Sequence, residues 1–171
     1  MQAANTRKSI RLKNFDYSTS AAYFVTICVD AEDPCLSSID GIQVRLSPLG
    51  RICTDTWNSL AKRYEYVVQD IHVMMPNHMH GILCIMPSAG KRKPLSQLVG
   101  AFKTMSTKRI NEIQGTPGLK FWERGYYERV LRNDKELEMC REYILNNPFK
   151  WSLNKRVQDY PWKQDTEKVQ S

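Results

Sequence analysis

Two histidines separated by one residue are candidates for metal chemistry. His78 and His80 flank Met79 in the segment Met75-Pro76-Asn77-His78-Met79-His80-Gly81. Residues i and i+2 of a β-strand lie on the same face, so both imidazoles can reach one metal ion while Met79 points into the core. Polar strand residues that only bond to their neighbours have the same pattern, which leaves a structural role open. We expect His72, on the preceding strand, to be structural.

A tyrosine and an asparagine form a second candidate pair. Tyr143 and Asn147 are four residues apart in Arg141-Glu142-Tyr143-Ile144-Leu145-Asn146-Asn147-Pro148, so on a helix they lie on one face. An apolar stripe beside them is expected to pack on a sheet. Taken alone, a tyrosine beside such a stripe is usually a packing residue, and an asparagine before a proline is a routine helix terminator.

Aromatic and basic side chains alternate between Phe121 and Arg132, in the sequence FWERGYYERVLR. Aromatic rings can stack on unpaired bases, and arginine can bind phosphate. An amphipathic strand with a charged outer face has the same pattern, so both interpretations stay open.

The candidate residues lie on a small set of predicted elements. The segments with the composition of β-strands are residues 21–29, 64–75, 78–86 and 121–131. The second and third form a hairpin interrupted at Pro76-Asn77, and residues 30–48 are compatible with a short edge hairpin around Gly41.

Helical spacing of apolar residues predicts three helices, at residues 49–64, 95–113 and 133–147. Ser47 and Pro48 are a favourable start for the first helix, since serine caps it and proline fits its first turn. Residues 133–136 have the form of a capping box, and Pro148 is expected to end the third helix.

The predicted order, β-α-β-β-α-β-α, indicates an α+β fold with a ferredoxin-like antiparallel sheet and helices packed on one face. The 171 residues suit one domain. We expect that domain at residues 21–150, after a flexible basic lead-in at 1–20 and before a C-terminal tail at 151–171.

Positive charge is concentrated in one part of the chain. The net formal charge is +7, and residues 91–150 hold 13 basic and 7 acidic residues, a net of +6. This concentration favours a polyanion partner, nucleic acid before membrane, although a solvated helical face has the same composition. The residues expected to bind DNA are Lys91, Arg92, Lys93, Arg124, Arg129 and Arg132.

Cysteine usage and hydropathy exclude several classes of protein. The five cysteines are scattered without a CxxC pair, which argues against a zinc ribbon or a disulfide scaffold and for reduced thiols in the cytoplasm. No run of 18 apolar residues occurs, so we expect no membrane partner.

Three motifs occur together: PNHMH at 76–80, FWERGYY at 121–127 and YILNNP at 143–148. In this combination the chain resembles the single-tyrosine HUH transposases, and most closely the REP-associated tyrosine transposases of bacterial chromosomes. The resemblance covers about residues 20–150. It implies an HUH-type, RRM-like sheet and a strand transferase that acts on single-stranded DNA.

The resemblance also implies roles for individual residues. Tyr143 would be the catalytic nucleophile, and His78, His80 and Asn147 would bind Mg²⁺ or Mn²⁺. Related insertion-sequence enzymes have glutamine where this chain has Asn147, which carries the same amide on a shorter arm. Arg124, Arg129 and Arg132 would lie near the cleavage site, with Lys91, Arg92 and Lys93 along the DNA backbone.

Implied partners are single-stranded DNA hairpins with unpaired flanks, such as repetitive palindromes, and a second copy of the chain, with a monomer as the alternative. The implied location is the bacterial cytoplasm, in association with the nucleoid. A tyrosine pKa of about 10 leaves only about one phenol in a thousand ionised at pH 7, so a metal that polarises the phosphate suits this nucleophile. A 5′-phosphotyrosine link would conserve the energy of the phosphodiester bond, so no nucleotide cofactor would be needed. The absence of a nucleotide-binding GxxxxGK[ST] loop agrees with this.

Two other functions remain open at this point. A non-catalytic module could bind single-stranded nucleic acid on a ferredoxin-like sheet. A small metallohydrolase could use His78 and His80 with water as nucleophile, but no nearby histidine or carboxylate in the sequence completes its ligand set.

Overall fold

The computed structural model describes residues 21–31 and 35–153 of the chain. Along them lie β1 (Ala21–Cys28), β2 (Ser37–Asp40), β3 (Gln43–Leu46), α1 (Pro48–Arg63), β4 (Val67–Met74), β5 (His78–Ile85), α2 (Leu95–Gln114), β6 (Tyr127–Leu131) and α3 (Asp134–Leu153). The expected lead-in at 1–20, and residues 154–171 of the expected tail, lie outside the described residues.

A four-stranded antiparallel sheet in the order β4-β5-β1-β6 is the centre of the fold. The α+β class and the β4–β5 hairpin are confirmed. The edge hairpin is confirmed as well: β2 and β3 pair around Gly41, whose φ of 59° is in the left-handed region that suits glycine. Among the described residues, no helix has the length and apolar character needed to cross a membrane.

Helices cover both faces of this sheet, so the expectation of helices on one face is wrong. On one face, Tyr23, Val25 and Ile27 pack into a cluster with α1 and α2. On the other, Phe24 packs into a smaller cluster with Ile144 and other residues of α3. The physical reason is that β1 and β5 are buried on both faces, and each apolar face needs its own cover.

The start of α1 follows its sequence signals. The Ser47 hydroxyl accepts a hydrogen bond from the Gly50 N–H at 3.0 Å, and Pro48 occupies the first turn. Helix α2 ends at Gly115, which has a φ of 66°.

Helix α3 is longer than predicted, because it continues through Pro148 to Leu153. Proline removes the N–H that would bond to the carbonyl of Ile144, but the flanking turns are held by packing: Tyr143, Ile144 and Pro148 are all buried. The extra turn brings Trp151 to the sheet, where its ring centre lies 5.8 Å from that of His78.

The predicted strand at 121–131 is shorter than expected, since only Tyr127–Leu131 pairs continuously with β1. Phe121 and Trp122 belong to the core on the α1 and α2 side, and the Trp122 indole N–H donates to the Ser106 hydroxyl at 2.8 Å. Two neighbouring buried aromatics break the strand alternation. These two rings are therefore largely buried, and their remaining surface lines a groove beside α2.

Candidate active site

The histidine pair, His78 and His80, projects from β5 towards α3. The Nε2 atoms of the two rings are 3.0 Å apart, and both side chains are buried. Met79 lies on the opposite face in the core, as the alternation predicted. The i, i+2 spacing therefore brings the two imidazoles together.

Each imidazole of the pair is oriented by a bond to its second nitrogen. His78 Nδ1 lies 2.7 Å from Asn77 Oδ1, and His80 Nδ1 lies 2.7 Å from the Thr26 hydroxyl. The amide oxygen can only accept, so His78 Nδ1 carries the proton and its Nε2 keeps a lone pair. A hydroxyl can donate or accept, so Thr26 supports either tautomer of His80.

Burial keeps both rings of the pair neutral. It lowers the pKa of His78 to about 4. The pKa of His80 is lowered well below its usual range, first by burial and then by the neighbouring His78. A neutral imidazole is the form that binds a metal ion.

The geometry of the pair fits a divalent cation. Neighbouring ligands on an octahedral ion with bonds of about 2.1 Å are about 3 Å apart, which matches the 3.0 Å between the Nε2 atoms. Residues 21–31 and 35–153 contain no group of three His, Cys, Asp or Glu side chains suited to a metal. Further ligands would therefore be an amide, water or the substrate itself.

Helix α3 brings the predicted tyrosine to the pair. The ring centre of Tyr143 lies 5.2 Å from that of His80 and 5.8 Å from that of Phe24. Asn147 is buried one turn later, between Tyr143 and Trp151 on the same helical face. Because those two rings contact His80 and His78 respectively, the face that carries Asn147 is directed at the pair.

The positive charge of Lys150 beside Tyr143 was not predicted from the sequence. The Lys150 ammonium lies 5.8 Å from the centre of the Tyr143 ring, and both residues line a cavity of about 200 Å³. Lys150 lies seven residues after Tyr143, which is two turns along α3, and this spacing could have predicted the contact. The contacts of Thr26 and Asn77 with the histidines were also not predicted. The contact of Thr26 with His80 depends on strand register rather than on a motif.

Arg124 lies at the end of the sheet that carries His78. The Glu123 N–H donates to the carbonyl of Cys28, the β1 partner of His78. The next β1 residue, Val29, donates its N–H to the carbonyl of Asn77. The loop with Arg124, which is exposed, therefore continues the sheet beside the pair.

The other arginines predicted near the cleavage site are placed differently. Arg129 lies on the α3 face of β6, with Nη2 3.5 Å from Glu136 Oε1. Arg132 follows Leu131, which pairs with Ala22 at the opposite end of β1 from Cys28. Arg132 therefore lies at the end of β1 away from the histidines, and its place near the cleavage site stays a prediction.

The basic cluster Lys91, Arg92 and Lys93 also lies far from the pair. The Lys93 N–H donates to the Tyr66 hydroxyl, and Arg92 Nη1 donates to the Met86 carbonyl just after β5 ends. With eight residues in β5, a rise of about 3.3 Å per residue puts this end about 23 Å from His78. The cluster and the pair are at opposite ends of one strand.

Comparison with known proteins identifies the family. Residues 46–147, which include His78, His80, Tyr143 and Asn147, match the family described as "Transposase IS200 like". The chain belongs to the IS200-like transposase family. The resemblance inferred from its three motifs is thereby confirmed.

Two similar proteins match nearly the whole length of this chain. An uncharacterized protein of Haemophilus influenzae is 30% identical over 174 residues, covering 90% of this chain and 94% of that protein. The solved structure of a REP-associated tyrosine transposase bound to a REP hairpin has a TM-score of 0.62 at 20% identity, covering 95% of this chain and 87% of that one. The latter likeness confirms the fold.

Proposed function

We propose that this transposase cuts and rejoins single-stranded DNA, with Tyr143 as the nucleophile and with a Mg²⁺ or Mn²⁺ ion bound by His78, His80 and Asn147. One observation carries the proposal. The ring of Tyr143 contacts the ring of His80, at 5.2 Å between centres, although Tyr143 lies 63 residues later in the sequence. A structural role for either motif alone does not require that they meet.

In the proposed reaction the Tyr143 hydroxyl oxygen attacks a backbone phosphorus. The bond from that phosphorus to the 3′ oxygen breaks, and the 3′ oxygen takes up the proton that the phenol gives up. The products are a 5′-phosphotyrosine and a free 3′-hydroxyl. A 3′-hydroxyl of another strand reverses the step, so no nucleotide cofactor is consumed.

The protein groups around the phenol have separate tasks in this step. His78 and His80 present their Nε2 atoms to one point, and Asn147 would add its amide oxygen. The ion held there would polarise the phosphate and stabilise its developing negative charge. Lys150, 5.8 Å from the Tyr143 ring, adds a fixed positive charge on the side of the nucleophile.

We propose hairpins with unpaired flanks as the DNA partner. The REP-associated tyrosine transposase with this fold is bound to a REP hairpin, and the present chain carries its basic residues at both ends of β5. A groove of about 950 Å³ between α2 and the loop before β6 begins next to Arg124. Its size suits one or two unstacked nucleotides.

The chemistry of this groove agrees with an unpaired strand. Basic residues of its lining outnumber the acidic ones, with Lys103, Lys108, Lys120 and Arg124 against Glu112 and Glu123. Exposed Leu119 adds apolar surface. Lys120 is paired with Asp30 at 2.8 Å, an exposed ion pair of the kind that costs little to open. Phosphates can therefore replace Asp30 as its partner.

The location and assembly follow as parts of the same proposal. A transposase with these partners would work in the bacterial cytoplasm, on the nucleoid. We retain a homodimer as the expected assembly. However, α3 lies over the sheet of its own chain, so a single chain already contains every residue of the proposed site and a monomer is compatible with activity.

A cleavage assay tests the proposed function. The substrate is an end-labelled single-stranded hairpin with unpaired flanks, and wild-type protein should cleave it in Mg²⁺ or Mn²⁺ and not in EDTA. Replacing His78 and His80 together with alanine should abolish cleavage and leave hairpin binding. His72→Gln is the control, because His72 packs against Trp57 on the other side of the sheet and its loss should leave cleavage intact.

Three results would contradict the proposal in different ways. Cleavage that persists in EDTA after exhaustive dialysis excludes the metal. Hairpin binding without cleavage supports the non-catalytic binding module instead. A product with a free 5′-phosphate and no covalent adduct supports the metallohydrolase, with water as nucleophile.

A further inference from the structure

A β-bulge in β4 directs an acidic side chain at α3. Gln69 pairs with Leu83 and His72 pairs with Gly81, so Asp70 and Ile71 lie opposite a single residue of β5. In a regular strand, neighbouring side chains point to opposite faces. Here Ile71 packs in the α3 cluster, and Asp70 bonds to α3 as well, which is the re-aiming that a bulge permits.

The partner of Asp70 is Arg141. Its Nε and Nη2 groups donate to Asp70 Oδ2 at 2.9 and 2.6 Å, and its Nη1 donates to Glu138 on the same helix. Both members of the Asp70–Arg141 ion pair are partly buried. A two-bond guanidinium–carboxylate contact fixes direction as well as distance.

A second ion pair joins α3 to the other edge of the sheet. Glu136 lies 3.5 Å from Arg129 on β6 and accepts a hydrogen bond from the Arg132 N–H at 3.0 Å. Since β4 and β6 are the two edge strands, the first half of α3 is bonded to both edges of the sheet. Tyr143 follows two residues after Arg141.

Few apolar residues of α3 are buried in its contact with the sheet. Within the described chain, the buried apolar residues of α3 in the sheet contact are Cys140, Tyr143 and Ile144. A slip of one residue would move the helix by about 1.5 Å and turn its side chains by about 100°. A misplacement of about 1 Å can slow a reaction about 100-fold, so Tyr143 needs a directional restraint.

We propose that Asp70 and Arg141 are positioning residues for the nucleophile. Their ion pair fixes α3 on the sheet of its own chain, so that Tyr143 meets the histidine pair of that same chain. This inference rests on the proposed function, but it concerns residues outside the proposed nucleophile, metal ligands and DNA contacts.

Charge reversal tests the positioning role. Asp70→Arg and Arg141→Asp should each slow covalent adduct formation about 10- to 100-fold under single-turnover conditions with saturating hairpin, with the Kd for the hairpin unchanged. The double variant should restore the rate, because the pair is re-formed with its charges exchanged. Glu138→Gln is the matched control: it removes the other partner of Arg141 and should leave the rate unchanged.

A mixture of the two single variants tests whether α3 acts in its own chain. In that mixture, Asp70→Arg sheets and Arg141→Asp helices have complementary charges only across chains. The mixture should remain as slow as each variant alone. A recovered rate would overturn the same-chain arrangement.

Hydrogen–deuterium exchange separates this inference from the proposed function. Amides of α3 should exchange faster in Asp70→Arg, and in the milder Asp70→Asn if the first variant fails to fold, but not in Glu138→Gln. Wild-type protein that forms no adduct overturns the proposed function, while faster α3 exchange still supports the ion pair. An active wild type with unaffected rates and unaffected exchange in the Asp70 variants overturns the positioning role.

Discussion

The chemistry of the site depends on which ring nitrogen each histidine leaves for a ligand. Asn77 and Thr26 bond to the Nδ1 atoms of His78 and His80, so the two Nε2 atoms are left facing each other. Second partners of this kind orient ligating histidines and increase their basicity. Thr26 is therefore as much a part of the proposed metal site as the imidazole that it contacts.

Removing the Thr26 hydroxyl should weaken metal binding without touching a ligand. Thr26→Val keeps the shape of the side chain but leaves His80 Nδ1 without its 2.7 Å partner, and we expect the affinity for Mn²⁺ to fall about 10- to 100-fold. Thr26→Ser retains the hydroxyl and should stay close to wild type. Isothermal titration with Mn²⁺ measures both variants, and equal affinities for valine and wild type would contradict this role.

The sequence predicted the common face of the histidine pair because strand alternation is a local property. It could not predict Thr26, since that contact depends on the register of β1 against β5, 54 residues apart. Lys150 was missed for a different reason. The helix was expected to end at Pro148, so a residue beyond it was not placed on the face of Tyr143.

A close backbone approach fixes the position of α1. Helix α1 reaches the chain before β2 at Gly50, where an added Cβ would lie 2.0 Å from the Leu36 carbonyl oxygen. A contact this short with backbone cannot be relieved by a rotamer change. Glycine at this position lets α1 pack against the rest of the core.

Gly50→Ala should therefore destabilise the protein by about 1–3 kcal/mol. Gly100→Ala is the control, because no heavy atom lies within 4 Å of its added Cβ on α2. That change should stabilise the helix by about 0.5–1 kcal/mol. Urea unfolding followed by circular dichroism measures both, and a Gly50→Ala variant as stable as wild type would contradict the close packing.

Helix and strand limits were predictable where the signals were local. The Ser47 cap and the glycine at the end of α2 act within a turn, and both helices begin and end close to the expected residues. The ends of β6 and α3 depend on tertiary packing. Phe121 and Trp122 are drawn into the core, and Pro148 is tolerated because the buried turns on either side hold the helix.

Across the whole molecule, the sheet separates the larger apolar core from the face that carries the proposed site. Helices α1 and α2 form the larger core, and α3 covers the histidines on the other side. The order of elements could not predict which face of the sheet each helix covers, since a helix after an edge strand can return over either face. The buried residues of β1 and β5 carried the relevant signal, because apolar runs indicate a strand covered on both sides.

The basic cluster Lys91, Arg92 and Lys93 lies about 23 Å along β5 from His78, about the length of seven base pairs. We expect it to contact the backbone of the hairpin stem rather than the cleavage site. Replacing all three residues with alanine should flatten the slope of log K against log salt by about 2.7, at about 0.9 for each contact with duplex DNA. Affinity should fall for all sequences alike, because phosphate contacts carry no base information.

Fluorescence anisotropy at several salt concentrations measures this slope, with a hairpin that has unpaired flanks and with blunt duplex. A slope unaffected by the triple change would show that the cluster is a solvated surface. Arg124→Ala is the comparison at the other end of β5, and it should impair cleavage more than binding. Equal affinity of wild type for blunt duplex would count against a single-strand transposase.

In the proposed reaction Tyr143 becomes covalently joined to DNA, and this bond can be detected directly. Wild-type protein is incubated with a labelled single-stranded hairpin and Mn²⁺, and the adduct is isolated under denaturing conditions, digested and mapped by mass spectrometry. We expect a nucleotide on the peptide that contains Tyr143, and no adduct from Tyr143→Phe, which loses only a hydroxyl and should still bind the hairpin. A label on Tyr126 or Tyr127, or an undiminished adduct in Tyr143→Phe, would contradict it.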